Sequence, residues 1–193
     1  MKKIAILASG NGSNFEAIMK KIQSNDLQAE VVIVFSDQSD AYVLERAKQY
    51  DIPFASFSPK DFDSKVAYEA ELLALLRAYE VEFVVLAGYL RILGPEVIHN
   101  FSHCIVNIHP SLLPDYPGLR SIERAYLDGQ AVTGVTIHYV DEGLDTGPMI
   151  RQASLAIDPD DSLERLEERV HQLEHQLYPE VLQQLLNKEL NES

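Results

Sequence analysis

The sequence predicts an α/β fold, a mixed sheet with helices on both faces, and three observations predict it. Short runs that are apolar throughout, IAILA, VVIVF and FVVLA, are separated by segments whose apolar residues recur at helical spacing. Strands without polar alternation are buried on both faces, as in a parallel sheet covered by helices. In the second half, TGVTIHYV and PMIRQASLAI alternate instead, the pattern of antiparallel strands. A chain of 193 residues with 46% hydrophobic content favours one domain over residues 1–193.

Taken in order, Ile4 to Ala8 is the first strand; it breaks at the Gly-rich SGNGSN and gives way to a helix marked by Phe15, Ile18, Met19 and Ile22. Val31 to Phe35 is the second strand, AYVLERAKQY a helix ending before Asp51, and Ile52 to Phe57 a less regular third strand. Asp61 or Asp63 is expected to cap the helix that carries Tyr68, Leu72, Leu73, Leu75 and Leu76. Phe83 to Ala87 is the next strand, PEVIHNF a short helix, HCIVNIHP a strand running into proline, and SLLPDYPGL an irregular loop. Ser121 to Asp128 forms a short helix before the two alternating strands, which DEGLDTG joins. Asp160 or Asp161 is expected to start the last helix, and Pro179 to interrupt it, with VLQQLL continuing as a further helix or turn.

The formal charge of -14, from 30 acidic and 16 basic residues, repels nucleic acid and anionic membranes. It leaves room for a small phosphorylated ligand held by backbone amides. The one cysteine, Cys104, excludes an internal disulfide framework and a multi-cysteine metal cluster, and its apolar surroundings suit an inert thiol. The opening MKKIAILASGNG ends its apolar run too soon for a secretion signal, and no stretch approaches the length of a membrane span. A cytoplasmic setting is expected.

Two glycines and small polar residues stand where the first helix begins, so SGNGSN leaves amide groups free for an anion. A tight turn with a helix cap is the plainer alternative. The third glycine of a dinucleotide fingerprint and the lysine of a triphosphate loop are both lacking, which points to a monophosphate. Asn107 and His109, two apart at a strand end, point the same way and suit a pair acting on a polarised carbonyl; a satisfied polar pair before Pro110 is the alternative. Asp145 either orients His109 and relays a proton or is a turn aspartate, with Asp141 and Glu142 as nearby competitors. Residues 89–93 either wall a pocket for a flat heterocycle or belong to the core. His99, His103, His138, His171 and His175 make no convincing metal site, and HQLEH lacks the HExxH order, so no metal is assigned.

The stretches ILASGNGSNFEAI, VFSDQSDAYVLERA, VVLAGYLRIL, VNIHPSLLPDYPGL, TGVTIHYVDEGLDTGPMI and LEHQLYP together resemble the phosphoribosylglycinamide formyltransferases of purine biosynthesis, colinearly over nearly the whole chain. The resemblance implies a Rossmann-like formyltransferase fold, with a phosphate-binding half at 1–88 and a catalytic and folate-binding half at 89–190. It implies 10-formyltetrahydrofolate as donor, glycinamide ribonucleotide as acceptor, and a monomer or weak homodimer. The catalytic trio falls on Asn107, His109 and Asp145, and the phosphate loop on Gly12, Ser13 and Asn14, with Glu174 at the glycinamide end and Pro110 and Gly118 shaping the ribonucleotide side. The pterin would lie by Leu86, Arg91, Ile92 and Leu93, against Val140, Asp141 and on to Asp145, with Lys65 at the glutamate tail.

The chain departs from the family where it reads PGLRSI, with Arg120 and Ile122 in place of two common histidines, and where His171 replaces a glutamine. Formyltetrahydrofolate deformylase and methionyl-tRNA formyltransferase are the neighbouring alternatives, and a silent folate-binding protein is the non-enzymatic one.

Overall fold

The computed structural model describes the backbone of residues 1–191 and the side chains through residue 187. Four parallel units come first: strand β1 (Lys2–Leu7) with helix α1 (Ser13–Gln23), β2 (Ala29–Ser36) with α2 (Tyr42–Gln49), β3 (Phe54–Ser56) with α3 (Lys65–Ala78), and β4 (Phe83–Leu86) with α4 (Pro95–Asn100). Then follow β5 (Ile105–His109), α5 (Ser121–Leu127), the antiparallel strands β6 (Val132–Tyr139) and β7 (Met149–Ala156), and the long α6 (Leu163–Asn191). All lie in or on one seven-stranded sheet of order β3-β2-β1-β4-β5-β6-β7.

The uniformly apolar strands are buried on both faces, and their residues divide by parity as the pleat requires. Ile4, Ile6, Phe83, Val85 and Ala87 enter the core under α1, α2 and α6, whereas Ala5, Leu7, Val84 and Leu86 enter the core under α3 and α4. Strands β1 to β5 pair in parallel, β6 and β7 antiparallel, which is the mixed sheet the sequence predicts.

Four local expectations are corrected. Ser64, not an aspartate, caps α3 by accepting from the Ala67 amide at 3.1 Å, while Asp61 closes a capping box with Ser58 on a 3-10 turn at Pro59–Asp61. Ser162 likewise takes the Arg165 amide at the start of α6, and Asp161 pairs with Arg169 instead. In both places a serine stands next to the first helical residue, at the geometry a cap needs. Pro179 does not end α6, although a proline removes one intrahelical bond. Packing on both flanks carries the helix through: Tyr178, Val181, Leu182 and Leu186 are all buried, and the Tyr178 hydroxyl donates to the Leu86 carbonyl at 2.7 Å. The third strand is shorter than expected, because Pro53 has no N–H and contributes only its carbonyl, which accepts from Val34.

The strand order reverses between β1 and β4, since β1 leads outward to β2 on one side and to β4 on the other. Such a switch point opens a crevice at the carboxyl ends of the strands, and the residues that follow β1, β4 and β5 meet there.

Candidate active site

The turn after β1 is built for close approach. Gly12, directly before α1, has φ 79°, and a Cβ there would lie 2.5 Å from Val43 Cγ2. The turn is tied to α2: Gly10 O accepts from the Val43 amide, and Arg46 donates to the carbonyl and the side chain of Asn11, both at 2.8 Å. No side chain caps α1, so its first-turn amides stay available to a ligand, at the positive end of the helix dipole. The Asn14 side-chain oxygen beside them is buried without a hydrogen-bond partner.

Across the crevice, β5 ends in Asn107 and His109, and the strand register sets His138 of β6 directly opposite Asn107. Asp145, at φ 53° in the loop between β6 and β7, reaches back to this group. Its Oδ2 accepts from the Gly118 amide at 2.8 Å and lies 3.5 Å from His109 Nδ1; its Oδ1 lies 3.4 Å from Asn107 Nδ2 and 3.6 Å from His138 Nε2. Burial opposes the charge on Asp145, but the His138 ring, the Gly118 amide and the neighbouring imidazoles together hold its carboxyl below the ordinary aspartate value. His109 Nε2 sits 2.8 Å from the Tyr116 carbonyl. Both neighbours of the His109 ring are therefore acceptors, an arrangement that a ring carrying both protons satisfies.

A cleft of about 560 Å³ joins these parts. Gly12, Ser13, Asn14, Asn107, His109, Pro110, Gly118, Asp145 and Glu174 line it, as do Leu86, Arg91, Ile92, Leu93, Val140 and Asp141. Leu90, Ile92, Leu119 and Leu144 are exposed along its walls, giving it apolar surface for a flat ligand. Lys65 is not brought to the cleft: at the start of α3, its ammonium lies 3.8 Å from Glu69. Glu174, 4% exposed, accepts from His171 Nδ1 at 2.7 Å, and this hydrogen bond raises the His171 pKa against the effect of burial. Ile122 is buried in the core, whereas Arg120 lines the cleft with its Nε on Glu123. Among the described residues, no group of three or more His, Cys, Asp or Glu is placed to hold a metal ion, and no helix is long and apolar enough to cross a membrane.

The formyl transferase family model matches residues 2–182. A phosphoribosylglycinamide formyltransferase of Bacillus subtilis is 46% identical over 96% of this chain and 95% of its own. This chain belongs to the phosphoribosylglycinamide formyltransferase family. The crystal structure of the Bacillus halodurans phosphoribosylglycinamide formyltransferase superposes with a TM-score of 0.94 at 48% identity, covering 97% of this chain and 96% of that one. A formyltetrahydrofolate deformylase from Pseudomonas syringae is a more distant likeness, at 28% identity and a TM-score of 0.88, and the match covers 62% of that chain.

Within this formyltransferase fold, sequence reasoning missed His138. In the sequence it is one histidine alternating with apolar residues in TGVTIHYV, and only the pairing of β6 with β5 reveals what it faces. Its Nδ1 donates to the Tyr139 carbonyl at 2.8 Å, and its Nε2 lies 3.4 Å from Asn107 Nδ2 and 3.6 Å from Asp145 Oδ1. Ser9, Leu90 and His171 also line the cleft.

Proposed function

We propose that this protein transfers the formyl group of 10-formyltetrahydrofolate to the amine of glycinamide ribonucleotide, in the cytoplasm. The observation that carries the reading is the meeting of Asn107, His109 and Asp145 on the cleft floor, between an uncapped helix start and an apolar wall. In this reading the half at 1–88 holds the phosphate through Gly12, Ser13 and Asn14, and the half at 89–190 carries the chemistry. The unpartnered Asn14 oxygen and the first-turn amides fit a phosphate, since a protonated phosphate oxygen or a bridging water supplies a donor to the one and an acceptor to the others.

The exposed leucines and Ile92, with the segment 140–145 that also lines the cleft, fit the pterin end of the donor. When bound, the folate supplies the formyl carbonyl that the uncharged amine attacks. Asn107 and His109 then donate hydrogen bonds to the carbonyl oxygen as negative charge builds on it. For this the His109 ring exchanges its contact with the Tyr116 carbonyl for the new oxygen, a swap between two acceptors at one N–H. Asp145 favours the doubly protonated His109 ring 3.5 Å away and helps carry the proton leaving the amine to the folate nitrogen, whose bond to the formyl carbon breaks as tetrahydrofolate leaves. Glu174 accepts from the glycinamide end, and Pro110 and Gly118 bound the ribonucleotide.

The test is spectrophotometric assay of tetrahydrofolate release with and without glycinamide ribonucleotide. Release that requires the ribonucleotide supports the transferase reading. Equal release without it transfers the assignment to deformylase, the reading that the similarity to the Pseudomonas enzyme keeps in play.

A further inference from the structure

The loop between β4 and α4 carries Leu90 to Leu93, one wall of the cleft, yet Leu90 and Ile92 are 65% and 45% exposed and contribute little to fixing it. Two buried carboxylates that do not line the cleft hold it from behind. Asp37, just past β2 and 1% exposed, accepts from Ser9 Oγ at 2.6 Å and from Arg91 Nε at 2.8 Å. The same Ser9 oxygen accepts from the Leu90 amide at 2.9 Å, so Asp37 grips two consecutive loop residues, one directly and one through a hydroxyl. Glu69 of α3, 5% exposed, accepts from the Gly94 amide at 2.7 Å, where the loop becomes α4. A Cβ on Gly94 would stand 2.3 Å from Glu69 Oε2, so glycine leaves the space the carboxylate fills. Two carboxylates taken out of water cost free energy that only close, well-directed donors return. Their shortest contacts, from Ser9, Arg91 and Gly94, belong to this loop or hold it, while Gln38 and Lys65 add longer ones at 3.3 and 3.8 Å.

We propose that Asp37 and Glu69 are positioning residues that set the affinity for the folate donor by anchoring the two ends of this loop, without touching the ligand. The proposal rests on the folate reading given above. The Gly-rich turn has its own ties to α2, through Val43 and Arg46, so the ribonucleotide side does not depend on Asp37 alone.

The test compares Asp37→Asn, Glu69→Ala and Glu69→Gln with the unaltered protein by calorimetric titration of tetrahydrofolate, by steady-state kinetics in both substrates, and by amide exchange. A hydrogen bond to a charged group is worth roughly tenfold in an equilibrium constant. Asp37→Asn and Glu69→Ala are each expected to weaken tetrahydrofolate about tenfold and speed exchange in residues 88–94, with the ribonucleotide KM and kcat within about threefold. Glu69→Gln keeps an acceptor for the Gly94 amide and is expected to stay near the unaltered protein. Unchanged folate affinity in both weakened variants, or parallel loss of both substrates, overturns the anchoring. Failure of the unaltered protein to bind tetrahydrofolate is a separate result, which overturns the folate reading and this assignment with it.

Discussion

Asp145→Asn removes one charge and little else. The new side chain keeps a carbonyl oxygen for the Gly118 amide, and asparagine tolerates the positive φ found there, so the loop is expected to hold. What is lost is the attraction between the carboxylate and a charged His109 ring at 3.5 Å. Two unit charges at that distance attract by about 5 kcal/mol at an effective dielectric near 20. That is an upper bound of about 3 × 10³-fold in turnover, and water entering the cleft lowers the expectation to about 10²-fold. The assay is steady-state release of tetrahydrofolate with both substrates saturating, so that kcat is read apart from binding. A variant within tenfold of the unaltered kcat would refute the role given to Asp145. The pH dependence supplies a second check. The Asp145 carboxyl is lowered from 3.8, so its contribution to activity and stability is present above that value and is lost as pH falls through the lower folded value. An acid limb near pH 6 in kcat would therefore have to come from another group.

Three further outcomes are expected. Asn107→Ala removes a donor aimed at the developing charge and lowers kcat by about 10²-fold or more with little change in either KM; a rise in KM at unchanged kcat would assign it to binding alone. Gly12→Ala forces a side chain into φ 79° and against Val43, so the melting temperature falls and the ribonucleotide KM rises while tetrahydrofolate affinity holds, with a strain of about 1–3 kcal/mol; unchanged melting would show that the turn has room. Glu174→Gln lowers the midpoint of the His171 titration followed by NMR, because the hydrogen bond that His171 donates to the Glu174 carboxylate is the main cause raising it. A raised folded pKa stabilises below the unfolded value of 6.5 and loses that effect as pH rises through the folded value, so the variant's stability is also expected to vary less over that window.

The parallel half was legible because burial on both faces leaves a mark that needs no partner: IAILA, VVIVF and FVVLA are strands from their own composition. The same holds for Gly12, whose conformation is local, and for Asn107 and His109, whose common direction follows from the pleat. What depends on pairing between distant segments was not legible. His138 becomes a neighbour of Asn107 only through the register of β5 with β6, and Ser9 meets Leu90 across 81 residues of sequence. Proline in α6 misled because its local cost is real while the burial that outweighs it, at Tyr178, Val181 and Leu182, is a property of the assembled sheet.

The acidity of the chain and the anionic character proposed for its ligands are reconciled by how the acids around the cleft are engaged. Asp141, Asp145 and Glu174 all line it, and each is already bound to a donor of the protein. Asp141 takes the Gly143 amide and the Thr146 hydroxyl, Asp145 the Gly118 amide, and Glu174 the His171 ring. Two further acids just behind the lining, Asp37 and Glu123, are likewise engaged, by Arg91 and Arg120, and exposed charges farther off than about 8 Å are screened at physiological ionic strength. Beside Asn107 and His109, groups with donors to offer include the first-turn amides of α1, the outer nitrogens of Arg91 beyond its bond to Asp37, and Arg120. A phosphate or carboxylate entering the cleft thus meets N–H groups at contact distance, while the acids that line it are already engaged by donors of the protein. Local geometry, and not net charge, decides which ions this cleft admits.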